Sequence, residues 1–418
     1  MSKMSTICAG ISMAVVAAIS CANSAEAKDG YRVLHFFQGG NDGYGATPGL
    51  IFGKNGDLYG TTNLGGGSGC FGGGCGTIYE VSPGGEETTL YRFTGSPDGW
   101  YPAAGLIVDG AGNFYGTTEY GGQLDCQSNF GCGTIFKLTP DRTESVLYAF
   151  QYQGNPDSGL VRDKYGNLFG VIPNMYGNAG CGGLGCGAAF ELSHSAKYKV
   201  LHRFIGDNDA ATPEGNLTAD LDGNLYGTSY EGGSGTKCSS KFGGCGTVYK
   251  MMPDGTATVL HDFRGGKDGA HPFGPIVLDN SGNLYGTTEV GGGGNDCGDG
   301  CGTVFKISPN GAETVLYAFK NPKDGYYPMW SPVLDDAGNL YGTTLFGGSS
   351  CADTGCGTIF RLSPDGTKTT LHTIHDASSE GFAPVALIRD KKGNLFGTLL
   401  GGGPHQTYGG VFEIKAQN

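Results

Sequence analysis

The chain has 418 residues, of which 81 are Gly and 18 are Pro, so these two types fill about a quarter of it where about an eighth is usual. Glycine follows no G-X-Y register, which excludes collagen, and 38% hydrophobic against 16% charged residues excludes a chain too polar to build a core. A formal net charge of −13, with no run of Lys or Arg, disfavours nucleic acid and anionic membranes as partners.

The N-terminus reads as a secretory signal. Lys3 lies in a short polar stretch, Ile7 to Ile19 is apolar and small, and Ala25-Glu26-Ala27 fits a small-x-small cleavage site. This assigns residues 1–27 to a signal peptide and 28–418 to the exported chain. Lipidation at Cys21, after Ala18-Ile19-Ser20, is the alternative to cleavage after Ala27. The apolar stretch is too short to span a bilayer, so no transmembrane segment is expected. Cys8 and Cys21 belong to the leader, and the remaining twelve cysteines fall into six close pairs, as in an exported, oxidised protein.

From Tyr31 to Ile414 one unit recurs seven times. Its signature, G-N-L-Y-G-T-T, ends in Gly60, Gly116, Gly170, Gly227, Gly286, Gly342 and Gly397 at its Y-G step, with intervals of 56, 54, 57, 59, 56 and 55 residues. Interior glycines cost a helix about 1 kcal/mol each relative to Ala, so the unit is read as four short strands. Strand a is the apolar stretch Gly105-Leu106-Ile107-Val108 and its equivalents. A D-x-x-G-N turn (Asp109 to Asn113) leads to strand b, and a long glycine-rich loop leads to strand c, as in Gly302-Thr303-Val304-Phe305-Lys306-Ile307. An S-P-D/N-G turn precedes strand d, where Val315, Tyr317 and Phe319 share one face and Leu316 the other by the period of two.

Repeated four-stranded antiparallel sheets, apolar on both faces, predict an all-β, seven-bladed β-propeller. The first repeated strand is a d strand, Val33-Leu34-His35-Phe36-Phe37, and the last is a c strand, Val411-Phe412-Glu413-Ile414. Their pairing would close the seventh blade from both ends of the chain. The phrases G-N-L-Y-G-T-T, G-C-G-T-I-F-K-L-S-P-D-G and T-V-L-Y-A-F resemble the GloVer tandem-repeat proteins of bacteria across all seven copies. That resemblance implies an exported surface protein and no particular chemistry.

In such a meander the short a–b and c–d turns share one face, and the long b–c and d–a loops share the other, where function is expected. The b–c loops carry Cys70/Cys75, Cys126/Cys132, Cys181/Cys186, Cys238/Cys245, Cys297/Cys301 and Cys351/Cys356. A thiolate metal site needs four ligands together, whereas these pairs sit on different copies, so six local disulfides are expected and no metal. The seventh copy has Gly401-Gly402-Gly403-Pro404-His405-Gln406-Thr407-Tyr408 in place of a pair, a break in symmetry that marks a candidate site.

The d–a loops carry D-G-x-x-P, as in Asp98 to Pro102, Asp268 to Pro272 and Asp324 to Pro328. The Asp is read as a turn cap. The x positions and their neighbours hold Trp100, Tyr101, Tyr326, Tyr327 and Trp330, flat rings that either stack on sugars or pack between blades. His35, His202, His261 and His372 share a strand-d position with Tyr91, Tyr148 and Tyr317 and are read as structural. His271, His405, Glu119 and Glu289 fall on the loop face and are the candidate acid–base set. Arg162 and Arg389 end two a strands, with an anion in the channel or a neighbouring Asp as their partners. No G-x-S-x-G, P-loop, H-E-x-x-H or dinucleotide fingerprint is present, and no cofactor is expected.

Three functions remain open. The first is a secreted binding module for extracellular glycan or a protein partner, using the five aromatic residues. The second is a polysaccharide lyase or glycoside hydrolase using the His/Glu set. The third is a structural surface protein without a small ligand.

Overall fold

The structure, a computed structural model, describes residues 30–416 apart from 124–129, 152–153, 175–180, 182–184, 239–242, 349–350, 352–353 and 405–407. Residues 1–27, where a signal peptide is expected, Cys126 and His405 therefore lie outside the described residues. Seven antiparallel sheets of four or five strands, with one additional two-stranded ribbon, follow one another along the described residues. Blade 5 shows the plan: strand a is Val277–Leu278, b is Leu284–Val290, c is Thr303–Ile307 and d is Glu313–Ala318. The seventh blade combines Phe382–Arg389, Leu395–Gly401 and Gly410–Ile414 with the first strand, Tyr31–Phe36. Tyr31 pairs with Ile414 and Phe36 with Gly410, so the ring closes through the two ends of the chain as the copy order requires.

Strict alternation along strand d does not hold. In blade 5 Tyr317 pairs with Val304 and Val315 with Phe305, which leaves Leu316 as an extra residue in a bulge. The same register shift recurs in blades 1, 2, 3, 4 and 6. Both Leu316 and Tyr317 consequently pack on the core between blades 5 and 6.

The repeated phrase Y-G-T-T is explained atom by atom. Its glycine faces the buried aromatic ring of strand c: a Cβ on Gly286 would sit 2.5 Å from Phe305 Cζ, its cross-strand partner. The first Thr reaches the next blade. Thr61, Thr117, Thr228 and Thr287 donate to the carbonyls of Ala104, Ser158, Gly274 and Trp330 at 2.7–3.3 Å, and Thr398 donates to Thr47 across the closure. The second Thr pairs with the strand-c Thr of its own blade, as Thr288 with Thr303 at 2.7 Å. One tripeptide thus fills the core, ties adjacent blades and satisfies its own hydroxyls. Among the described residues helices are three-residue 3-10 turns, and none is long and apolar enough to cross a membrane.

Candidate functional site

The segment before each strand a lines the axis of the ring. Pro48, Ala103, Asp157, Glu214, Phe273, Trp330 and Ala386, one from each blade, bound a central cavity of about 570 Å³. The d–a and b–c loops meet at one mouth of it because they are hydrogen-bonded to each other. Tyr101, Thr212, His271, Tyr327 and Ala383 have φ between 53° and 62°, and their N–H groups donate to the carbonyls of Cys75, Cys186, Cys245, Cys301 and Cys356. Left-handed φ at a non-glycine residue costs about 1–2 kcal/mol. Since Ala383 and Thr212 share it with Tyr101 and His271, the strain belongs to blade architecture rather than to one active residue.

Five disulfides join Cys70–Cys75, Cys181–Cys186, Cys238–Cys245, Cys297–Cys301 and Cys351–Cys356. The expected Cys126–Cys132 bond involves a residue outside those described. In the seventh copy Tyr408 takes the place of the second cysteine: its carbonyl accepts from Gly45 N–H at 2.9 Å, and its ring packs 5.4 Å from Tyr44. Tyr408 thereby joins the same interblade link.

Trp100 stands in a two-residue ribbon paired with Tyr120. Its ring lies 5.7 Å from Phe71, 5.2 Å from Tyr120 and 5.4 Å from Phe130, forming a four-ring cluster on the rim of blades 1 and 2. Phe71, at the tip of the first disulfide loop, is 84% exposed. Tyr101 links this cluster towards the mouth, 6.0 Å from Tyr120, and accepts a hydrogen bond from Asn63. Tyr326 and Tyr327 form a second group with Phe346, their own centroids 4.9 Å apart. Trp330 packs edge-on against Phe273 at 5.2 Å in the channel wall.

The acid–base candidates are only partly brought together. Tyr230 donates to Glu289 at 2.8 Å and stacks on His271 at 4.4 Å, so His271 and Glu289 meet through Tyr230. His271 is only 4% exposed and its Nδ1 lies 2.9 Å from the Tyr230 carbonyl, which makes it a packing residue. Glu119 is on another blade, held above the usual carboxylate range by burial and partly offset by a hydrogen bond with Tyr120.

Sequence reasoning missed Asp157 and Glu214. They follow the loop prolines Pro156 and Pro213, where other copies have Ala103, Phe273, Met329 and Val385. Burial and the neighbouring Glu119 charge push Asp157 up to about 7. Burial and the Asp157 charge push Glu214 well up. A column-by-column comparison of the seven copies at this position exposes both. Of the two partners expected for Arg162 and Arg389, the channel anion is excluded. Arg162 and Arg389 do not line this cavity; their guanidinium carbons lie 5.9 and 5.6 Å from the rings of Tyr115 and Tyr341 on the preceding blades.

The D-G-x-x-P acids act as turn caps: Asp98 Oδ2 accepts from Thr94 N–H and from Tyr91 OH. His35 and His202 approach Asp42 and Asp209 in the same way, at 3.3 and 3.2 Å. His261, Asp268 and Glu313 bring three metal-ligating atoms close together, yet this is the blade 4–5 version of that repeated contact.

Seven blades closed on themselves, with the variable loops gathered at one mouth of a central channel, define a seven-bladed β-propeller. The chain belongs to the Gloeobacter/Verrucomicrobia repeat family, whose model matches residues 23–240 and 234–418. Among solved structures it is similar to virginiamycin B lyase from Staphylococcus aureus, with 15% identity and a TM-score of 0.56 over 89% of this chain and 96% of that one. The extracellular domain of a one-component system from B. thetaiotaomicron is 12% identical, with a TM-score of 0.55 over 92% of this chain and 40% of that one. PorZ, a surface component of the type-IX secretion system of Porphyromonas gingivalis, is 13% identical, with a TM-score of 0.50 over 91% and 47%. At these identities the likeness is one of fold. No curated protein matches the sequence.

Proposed function

We propose that the protein is an exported binding module that holds extracellular glycan on its loop face. The observation that carries this reading is the Phe71–Trp100–Tyr120–Phe130 cluster, which presents an exposed ring on the rim of blades 1 and 2. Flat faces next to hydrogen-bonding groups such as Asn63 and Tyr101 suit the apolar face and rim hydroxyls of a sugar. The five disulfides fit an oxidising destination outside the cytosol.

The test is retention on a panel of immobilised polysaccharides. Phe71→Ala with Trp100→Ala is expected to weaken retention by roughly tenfold, the scale of losing central aromatic anchors, and Tyr326→Ala to weaken it less, with melting temperature maintained. Absence of retention by the unaltered protein across the panel overturns the glycan reading.

A second reading, a polysaccharide lyase or glycoside hydrolase, draws on the Tyr230–Glu289 hydrogen bond at the mouth. Tyr230 is then the proton-carrying group, since His271 is buried. Incubation with uronate-containing polymers, followed by the absorbance of unsaturated products and by reducing ends, separates catalysis from binding.

A further inference from the structure

The central cavity is chemically lopsided. On adjacent blades 3 and 4 its wall carries Asp157 and Glu214; on blades 5 and 6 it carries Phe273 and Trp330; Asn216, Ser158 and Ser331 add uncharged polar groups, and the remaining wall is built from small or aliphatic residues. No Lys, Arg or His is among the described residues that line it. The charged and titratable groups facing the pair from neighbouring elements are Glu119 and Tyr120 towards Asp157 and Tyr230 towards Glu214. All are acids or phenols. Two carboxyls therefore share a largely apolar wall in which, among the described residues, no cation neutralises them.

A second, independent observation lies on the same wall. Asp157 Oδ1, Trp330 Nε1 and Ser331 Oγ belong to residues of this wall, are closed to a water-sized atom and have no hydrogen-bond partner among the described residues. Buried polar atoms are nearly always paired in folded proteins, so a set left unpaired on residues beside a cavity is satisfied only when these side chains turn towards what the cavity holds. The set asks for a donor beside Asp157 and for an acceptor beside Trp330, whose indole N–H can only donate.

We propose that the central channel binds an amino sugar unit with a free amine, its ammonium between Asp157 and Glu214 and its ring against Phe273 and Trp330. The ammonium supplies the missing counter-charge and hydrogen-bond donors. A ring hydroxyl supplies the acceptor for the indole N–H, and the apolar ring face meets the aromatic wall. A cavity of about 570 Å³ accommodates more than one such ring. The site is distinct from the rim cluster and stands whether or not the rim retains polysaccharide.

Binding is coupled to a proton. In the empty channel burial, with repulsion from Glu119 on Asp157 and from Asp157 on Glu214, favours a protonated carboxyl near neutral pH, with Asp157 pushed up to about 7. An incoming ammonium favours the ionised pair, so a carboxyl releases its proton to solvent as the ion pair forms.

The test is isothermal titration calorimetry of the full chain at pH 6.5 in two buffers of different ionisation enthalpy, with glucosamine, glucose, N-acetylglucosamine and calcium chloride as probes. Glucosamine is expected to bind at least about tenfold more tightly than either neutral sugar, on the scale of a charged hydrogen bond, with a proton released to the buffer. Asp157→Asn and Glu214→Gln are each expected to lose about tenfold, and Trp330→Phe, which keeps the ring and deletes the N–H, several-fold. Leu221→Ser, at a fully exposed residue outside both sites, leaves glucosamine binding unchanged. The amide variants relieve repulsion and are expected to melt no lower than the parent; should either fail to fold, Trp330→Phe and the buffer comparison still decide. Equal affinity for glucose and glucosamine, absence of glucosamine binding, or calcium binding with glucosamine silent each overturns the proposal.

Discussion

Lys368 crosses the junction of blades 5 and 6 to place its Nζ 2.9 Å from Asp324 Oδ1, with its side chain almost fully buried. It is the first residue of strand d, a position held by Glu87, Glu144 and Glu313 in other blades. Each of those glutamates faces an acidic loop residue of the preceding junction: Asp42, Asp98 and Asp268. Blade 1 repeats the surroundings of Lys368 closely, because Tyr91 donates to Asp98 at 3.0 Å as Tyr317 donates to Asp324 at 2.8 Å.

Glu144→Lys is therefore expected to stabilise the fold by making at the junction of blades 1 and 2 the pair that Lys368 makes. The gain, discounted for partial exposure, is about 1 kcal/mol. In a propeller of this size that corresponds to a rise in Tm of about 1 °C. Calorimetric melts at pH 8 and pH 5 check it. The gain should be larger at pH 8, where the glutamate it replaces is ionised beside Asp98. A fall in Tm at pH 8 contradicts the expectation.

The same glutamates set a pH dependence. Burial first, then the Asp98 charge, pushes Glu144 up to about 7. Burial first, then His261 pulling down and Asp268 pushing up, leaves Glu313 at about 7. Carboxyls raised in the folded state bind protons more tightly there than in the unfolded chain, so they cost nothing below about 4.5 and progressively reduce stability as pH rises to about 7. The turn aspartates act oppositely. Burial raises Asp109, but hydrogen bonds from Asn113, Tyr115 and Ala111 outweigh it and bring it to about 2. Its contribution is present above 3.8, its ordinary value, and is lost as pH falls towards 2. Urea midpoints across pH 2–9 should peak between about 4 and 5. Glu144→Gln with Glu313→Gln should flatten the alkaline limb and leave the acid limb unchanged.

Gly286 is fixed by contact with Phe305. A Cβ at this position would lie 2.5 Å from the ring, which is itself fully buried, so neither partner has room to give. Gly286→Ala is expected to destabilise by about 2–3 kcal/mol through overpacking. Phe305→Leu alone should also destabilise by creating a void. The double variant should cost less than the sum of the two, since the shorter side chain vacates the space that the methyl needs. Additive losses in denaturant titrations would separate the two residues.

Blade number, strand order and ring closure were legible because each rests on residues that recur. The Y-G-T-T phrase, for example, contains the core contact, the interblade hydrogen bond and the strand-c pair. The bulge at Leu316 was not legible, because a register shift leaves apolar residues on both sides of it and the alternation reads through. Trp100 and Trp330 share a loop class in the sequence, yet one stands in the rim cluster and the other lines the channel. Side-chain direction near a loop proline decides that, and spacing does not encode it. Asp157 and Glu214 lay hidden for a different reason: each is a single departure in a variable column, and their significance comes from being adjacent around the ring. The Tyr408 substitution for a cysteine works through a backbone carbonyl, which any residue possesses.

The disulfides are expected to shape the mouth more than to hold the fold. Each closes only a few residues, which limits its chain-entropy contribution to about 2 kcal/mol. Its second cysteine, however, presents the carbonyl that fixes the left-handed loop residue of the next blade, as Cys301 does for Tyr327 at 3.1 Å. Cys297→Ser with Cys301→Ser should therefore lower global stability modestly while increasing amide hydrogen exchange at Tyr327. Strand c of the same blade is already tied on both sides, to Leu284–Val290 and Glu313–Ala318, and its amides should keep their protection. Exchange measured by NMR or mass spectrometry on the oxidised parent and the double variant distinguishes the two outcomes. Equal loss of protection at Tyr327 and across Thr303–Ile307 would mean that the bond secures the whole blade rather than its loop.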